Sequence, residues 1–363
     1  RTHKMSQTKV EAPFVENNLP FRNIIHNGNF YVHQRAQNQQ VTTQILSVID
    51  RWSVATTVNS FDATWSQSTT VPTGQGFTNS LKCDVGTAVT PSGGANYAAR
   101  QSIEGKNLQH LKFGTSSAES LTLSFWVRSN KTGTYCVQFR GNDTGKSCVV
   151  DYTISSADTW EKKTMTISGD TASAWDNDVN SSLECLWHLA VGSDDQVTPS
   201  SSWGVASNLF RASSNQINFM DSTSNEWYLT GVQLEIGTQA TDFEHLPFDV
   251  QLQRCERYLQ KWLADDAYDS VANGAAWNDT SFICEYRFST PMREEPTLTT
   301  NGTFIASMTG NDRSASSITL NRTTKENIQI VMTIPDNNET GTPGFFRDGN
   351  DGDSYLLFSA DLL

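Results

Sequence analysis

The chain has 363 residues, 26 basic and 39 acidic side chains for a net charge of −13, and only 18% charged residues overall. A negative total with no basic block lacks the clustered Lys and Arg that displace phosphate counterions, so nucleic acid is not an expected partner. No apolar run approaches the ~20 residues of a membrane-spanning helix, so membrane insertion is not expected either.

Residues 1–22 carry Pro13 and Pro20 and little periodicity, which predicts an extended anchoring arm without the apolar stretch of a secretion signal. From 23 to 246, short alternating or β-branched and aromatic runs are separated by Gly, Asn, Asp and Ser turns. Strands are predicted over 29–35, 64–69, 80–85, 95–103, 120–129, 133–140, 146–154, 162–167, 184–191 and 226–234. These suit an all-β fold, a two-sheet sandwich in which every strand buries one face in a shared core. In the 121–129 run, Leu121, Leu123, Phe125 and Val127 share one side, which turns Trp126 away from its apolar neighbours.

Residues 247–264 break this pattern. Asp249 is placed as an N-cap, and Leu252, Cys255, Leu259 and Trp262 follow at spacings of three, four and three, which predicts an amphipathic helix up to Trp262. Two roles stay open for that stripe: a helix lying across the sandwich, or a self-associating three-chain seam. Beyond it, 265–363 returns to short strands at 281–289, 297–299, 303–308, 317–320, 329–334 and 355–360, a second and smaller β domain.

The six cysteines show no CxxC pair, which favours reduced, buried thiols, with a Cys136–Cys148 bridge across a hairpin as the alternative. The six histidines show no metal-ligand spacing, and no metal or other cofactor is expected. Nucleophile elbows, P-loops and dinucleotide fingerprints are missing, so the chain is expected not to be an enzyme. Glycoside hydrolysis leaves no local spacing to read, and Asp176 with Asp178 is the acid pair to consider for it. The run from Arg347 to Asp353 resembles a calcium loop in composition, but Gly352 stands where an oxygen ligand belongs, and a turn is expected. The N-x-S/T sites at Asn130, Asn142, Asn180, Asn278, Asn301, Asn321 and Asn338 follow from a composition rich in those residues.

Sugars are bound by an aromatic face beside hydrogen-bonding groups, because a pyranose offers C–H groups on its face and hydroxyls on its rim. Trp65, Trp175, Trp187, Trp203 and Trp277 lie in turn-rich polar sequence, and Trp175, Asp176, Asp178, Trp203 and Trp65 are the glycan-binding candidates. For each, a place in the core is the competing expectation.

Several strings resemble the tail-fibre and head-fibre virion proteins of bacteriophages of aquatic bacteria, including cyanophages. They are Asn23-Ile-Ile-His-Asn-Gly-Asn-Phe30, Asp50-Arg51-Trp52, Gln101-Ser-Ile-Glu-Gly-Lys-Asn-Leu108, and above all Trp227-Tyr-Leu-Thr-Gly-Val-Gln-Leu-Glu-Ile-Gly-Thr238 with Ala240-Thr-Asp-Phe-Glu-His245 and Cys255-Glu-Arg-Tyr258. Phe288-Ser-Thr-Pro-Met-Arg293 and Ser359-Ala-Asp-Leu-Leu363 continue the likeness to the end. The resemblance implies a carbohydrate-binding-module-like jelly roll, a homotrimer attached to other virion proteins of tail or capsid, and contact with host surface polysaccharide. It leaves open whether the chain is a fibre or a capsid decoration protein.

Overall fold

Alternation along each strand gives the sandwich one apolar row per strand, and those rows face one another across two antiparallel sheets. The computed structural model describes residues 21–41, 45–57, 61–205, 210–335 and 340–363. Of the predicted arm only Phe21 and Arg22 fall within them, and the Asn338 sequon lies outside the described residues.

The first half comprises β1 Gln39–Val41, β2 Ile45–Ile49, β3 Trp52–Thr56, β4 Asp62–Ser68, β5 Ser80–Thr87, β6 Asn96–Glu104 and β7 Leu121–Ser129. It continues through β8 Gly133–Gly141, β9 Lys146–Ile154, β10 Glu161–Ile167, β11 Ser181–Val191, β12 Gln196–Val197, β13 Ser200–Val205, β14 Ala212–Ser213 and β15 Glu226–Ile236. A six-stranded sheet runs β1-β4-β5-β15-β7-β10 and a seven-stranded sheet β13-β9-β8-β11-β6-β3-β2, with the chain crossing repeatedly between them in a jelly-roll sandwich. Trp52, Trp65, Trp187 and Trp227 are fully buried between the sheets, joined by Phe30, Phe61, Phe125 and Phe139. Truncating any one of the tryptophans to Ala removes packing worth about 3–5 kcal/mol.

The predicted strand 29–35 is not one. Asn27 adopts a left-handed backbone, and its side chain accepts from the Val32 N–H at 3.0 Å and donates to the Val32 carbonyl at 2.8 Å. The side chain thus takes the place of a ladder partner, and Phe30 enters the core from a loop.

The helix α1 spans Phe248–Glu256, with Pro247 rather than Asp249 at its N-cap position. Leu259–Leu263 then forms β16, paired with the chain's last strand, Tyr355–Ser359. A distant ladder partner outcompetes helical periodicity here, as tertiary context commonly does. The expected stripe is therefore divided. Cys255 is buried and Leu252 half-buried on the helix, while Leu259 is buried and Trp262 half-buried on the strand, Trp262 packing 6.2 Å from the Phe304 ring. These four residues do not form one helical seam.

The C-terminal part adds β17 Ser270–Asn278, β18 Ser281–Arg287, β19 Thr297–Asn301, β20 Phe304–Met308, β21 Asn311–Ser314, β22 Ser317–Asn321, β23 Asn327–Thr333, β24 Pro343–Asp348 and β25 Tyr355–Ser359. A three-stranded sheet, β16-β25-β19, and a seven-stranded one, β21-β20-β24-β17-β18-β23-β22, enclose its own core of Phe, Ile and Met. All six cysteines are free and buried. Cys136 stands opposite Asp151 and Cys148 opposite Phe139, so the two are offset along the hairpin and form no bridge. In the 347–353 run, Asp348 accepts the backbone N–H groups of Asn350 and Gly352, both at 3.1 Å, a turn built on the side chain a calcium ion would need.

The two parts are joined by specific polar contacts. Buried Glu104, at the end of β6, takes two hydrogen bonds from Arg257, at 2.8 and 2.7 Å, and one from the Tyr258 hydroxyl. Burial pushes the Glu104 carboxyl up, but the hydrogen bonds of Arg257 and Tyr258 and the nearby positive charges hold it below the ordinary range. At the chain's end, Asp361 is held by Arg35, at 2.7 and 2.6 Å, and by Ser47 at 3.0 Å.

Candidate functional site

The outward row of β7 is Thr122, Ser124, Trp126 and Arg128; chain covers Thr122 and Ser124, while Trp126 and Arg128 stay partly accessible. Trp126 is half-buried there, paired in register with Thr230 of β15 on one side and Lys162 of β10 on the other. Two chain segments raise walls around it to form a cleft of about 280 Å³.

The first wall is the 74–77 turn. Gly74 and Gly76 hold left-handed backbones, and Phe77 folds down against the sheet. A bulge in β15 receives it: the register slips between Thr230 and Gln233, and Gly231, at φ +61°, has no side chain where the Phe77 ring lies. A Cβ on Gly231 would stand 2.5 Å from that ring.

The second wall is the segment 238–245, tied down by a buried polar network. The Gln233 side chain donates to Glu235 at 2.9 Å and accepts the Glu244 N–H at 2.8 Å, while Glu235 accepts the Thr241 N–H at 2.9 Å. This fixes Phe243 and His245 against Phe77, with ring centroids 5.1 and 5.3 Å away and edge-on or tilted packing. Partial burial pulls the His245 pKa below its ordinary value, which keeps the ring neutral near pH 7.

Among the described residues, no protein group bonds to the Trp126 indole N–H, the Lys162 ammonium, the Gln75 amide or the Asp242 carboxylate. The cleft thus presents an aromatic floor and a rim of donors and acceptors free for a ligand. Further along the same face, Tyr228 is buried under Arg128, 4.9 Å from guanidinium carbon to ring centre.

Of the residues singled out in the sequence, Trp175 and Trp203 are brought together, 5.3 Å apart and edge-on, with Phe113 as a third ring. Both indole N–H groups are taken by the protein, Trp175 donating to Asp170 at 3.3 Å and Trp203 to the Ser168 carbonyl at 2.8 Å. The trio packs half-buried on the sandwich core and covers its edge. Asp178 accepts from the Asn180 N–H at 2.9 Å and from its side chain, and Asp176 is exposed with its own N–H on Asp143, so the two serve separate turns. Trp65 and Trp187 are fully buried, which removes both as sugar platforms, and Trp277 is 66% exposed on the C-terminal sheet. Sequence alternation marked Trp126 as outward-facing. It did not reveal Phe77, Phe243 and His245, although a glycine inside the 226–236 strand is a bulge signal that could have pointed to their wall.

The chain is therefore a jelly-roll sandwich with an aromatic cleft on the outer side of its six-stranded sheet, joined to a second β domain. No family model and no curated protein matches it. Among solved structures it is similar to the enzymatically active domain of bacteriophage CBA120 tailspike protein 4, at 15% identity and a TM-score of 0.33, over 60% of this chain and 22% of that one. It is also similar to the family 11 carbohydrate-binding module of Clostridium thermocellum in complex with a mixed-linked tetrasaccharide, at 11% identity and a TM-score of 0.30, over 55% of this chain and 97% of the module. A third is the C-terminal family 22 module of a Clostridium thermocellum xylanase, at 12% identity and a TM-score of 0.29, over 58% of this chain and 98% of the module.

Proposed function

We propose that the chain is a non-catalytic adhesion protein of a bacteriophage particle and that it binds host surface polysaccharide through the Trp126 cleft. The observation that carries the binding role is the half-buried Trp126, its N–H unspent, in a cleft rimmed by the unpaired side chains of Lys162, Gln75 and Asp242. An aromatic floor takes the C–H face of a sugar and the rim takes its hydroxyls. The place on a virion rests on the resemblance of the 227–245 and 255–258 blocks to fibre proteins. Weak individual sites suffice on a particle, because repetition through a trimer and many copies multiplies them.

The test is retardation of the intact protein in gels containing neutral polysaccharides, host envelope polysaccharide among them, with reducing ends assayed in parallel. Retardation by at least one polysaccharide, its loss in Trp126→Ala and no release of reducing ends are expected. Retention equal to wild type in that variant would remove the cleft, and release of reducing ends would replace adhesion by cleavage. Antibody decoration of intact particles tests the virion assignment separately.

A further inference from the structure

A larger groove, about 450 Å³, opens where the N-terminal segment, the sandwich and α1 meet. Among the described residues its charged and ionisable lining is entirely of basic types: Lys106 and His110 from the turns after β6, Arg254 and Arg257 from α1 and its end, and His26 from the segment entering the sandwich. No carboxylate of the described residues lines it, in a chain whose net charge is −13. Two nearby acids already have hydrogen-bond partners, although Glu244 still attracts Arg254 from beyond ion-pair distance. Glu104 holds Arg257 and Tyr258, and Glu244 accepts the backbone N–H groups of Phe21 and Asn23.

That leaves Arg254 and Lys106 without a direct ion pair among the described residues. Arg254 has no carboxylate within ion-pair distance among the described residues and donates only to the Asn23 carbonyl at 3.3 Å. Lys106 is exposed, and its ammonium pairs with none of the described residues. The Nδ1 of His26 is buried without a hydrogen-bond partner. Burial, reinforced by Arg254, Arg51 and Arg257, holds that ring neutral, so it adds hydrogen-bonding capacity rather than charge. A cleft lined by one sign of charge concentrates ligands of the other.

The groove is too large for a lone tetrahedral anion, and its remaining lining includes the amides of Asn107 and Gln253, the Thr290 hydroxyl and the exposed Phe21 ring. We infer that this groove is a second binding site, distinct from the Trp126 cleft, for a hydroxylated ligand that carries a carboxylate, of the kind presented by a uronic-acid unit of an acidic polysaccharide. The carboxylate would meet Arg254 and Lys106, and the sugar hydroxyls the amides and hydroxyl along the wall.

Calorimetric titration of the full chain with trigalacturonate, with neutral galactotriose and with inorganic sulfate tests this. Trigalacturonate should bind, more weakly as salt rises, and the other two should bind at least about tenfold more weakly. Lys106→Glu, at an exposed position, should weaken trigalacturonate by about tenfold or more without lowering the melting temperature, and Arg254→Gln should do the same from the opposite wall. Trp126→Ala should leave this binding unchanged, which separates the site from the neutral-polysaccharide cleft. Absence of trigalacturonate binding, equal affinity for galactotriose or for sulfate, insensitivity to both charge variants, or loss of binding in Trp126→Ala would each overturn the inference.

Discussion

The outer faces of the two sandwich sheets carry similar polar rows and meet opposite fates. On the seven-stranded sheet, Arg100, Gln138, Arg140, Glu184 and His188 point away from the core, but later parts of the chain cover them. The 210–216 segment lies over one end, where Gln138 accepts the Arg211 N–H at 3.0 Å and Gln216 accepts the Cys136 N–H at 2.8 Å. Tyr258 and Arg257 close the other end through Glu104. The charges on the covered face are paired with one another, Glu184 taking Arg100 at 3.1 Å and Arg140 at 2.9 Å, although one nitrogen each of Arg100, Gln138 and His188 is buried without a partner. On the six-stranded sheet the 238–245 segment covers Thr122 and Gln233 but stops short of Trp126, and among the described residues the Trp126 indole N–H, Lys162, Gln75 and the Asp242 carboxylate have no protein partner. Polarity on an outward row therefore serves structure where chain covers it, and on the proposed function it serves recognition where chain does not.

The largest effect that would sharpen this contrast is expected at Glu184. Glu184→Ala leaves the buried Arg100 guanidinium and its neighbour Arg140 without their shared carboxylate, and breaking a buried pair from one side costs about 3–5 kcal/mol. Urea unfolding should show that loss. A loss below about 1 kcal/mol would mean that the covered face is not held by its charges.

His188 on the same covered face gives the next effect, through pH. Burial pulls its pKa to about 3, against an ordinary 6.5. The unfolded chain takes up a proton near pH 6.5 while the folded chain does not until about pH 3, so stability falls as the solution is acidified across that window. By pH 4 the cost is on the order of 3 kcal/mol. In His188→Asn the slope of stability between pH 6.5 and 4 should flatten, and an unchanged slope would show that other groups set the acid limit.

The architecture was legible in the sequence to the extent that it is local. Strands such as 121–129 and 146–154 announce themselves because alternation and β-branching act within the segment. Elements defined by distant partners did not: β16 reads as helix because its pairing with β25 lies nearly a hundred residues away, and Phe30 reads as strand because Asn27 imitates a ladder. The site divides in the same way. Trp126 could be assigned a direction from its own strand, and Trp175 and Trp203 could be named but not paired. The walls of the cleft depend on contacts between 74–77, 231 and 238–245 that no local pattern encodes.

Gly231→Ala tests whether those walls matter. The substitution forces a side chain onto a left-handed backbone and against Phe77, and should cost about 1–3 kcal/mol while displacing that ring from the cleft. Polysaccharide retardation should fall with it, and full retention would mean that the Phe77 wall is dispensable.

Trp126→Ala should have the smallest effect on folding and a decisive one on binding. The ring is half-buried and borders a cleft that is open to solvent, so its loss leaves no sealed cavity, and the melting midpoint should move by no more than a few degrees. If the open face is a recognition surface, polysaccharide binding disappears while Glu184 and His188 keep their influence on stability. If Trp126→Ala instead destabilises the sandwich as strongly as Glu184→Ala does, then Trp126 belongs to the scaffold, and the difference between the two faces is one of degree of covering rather than of purpose.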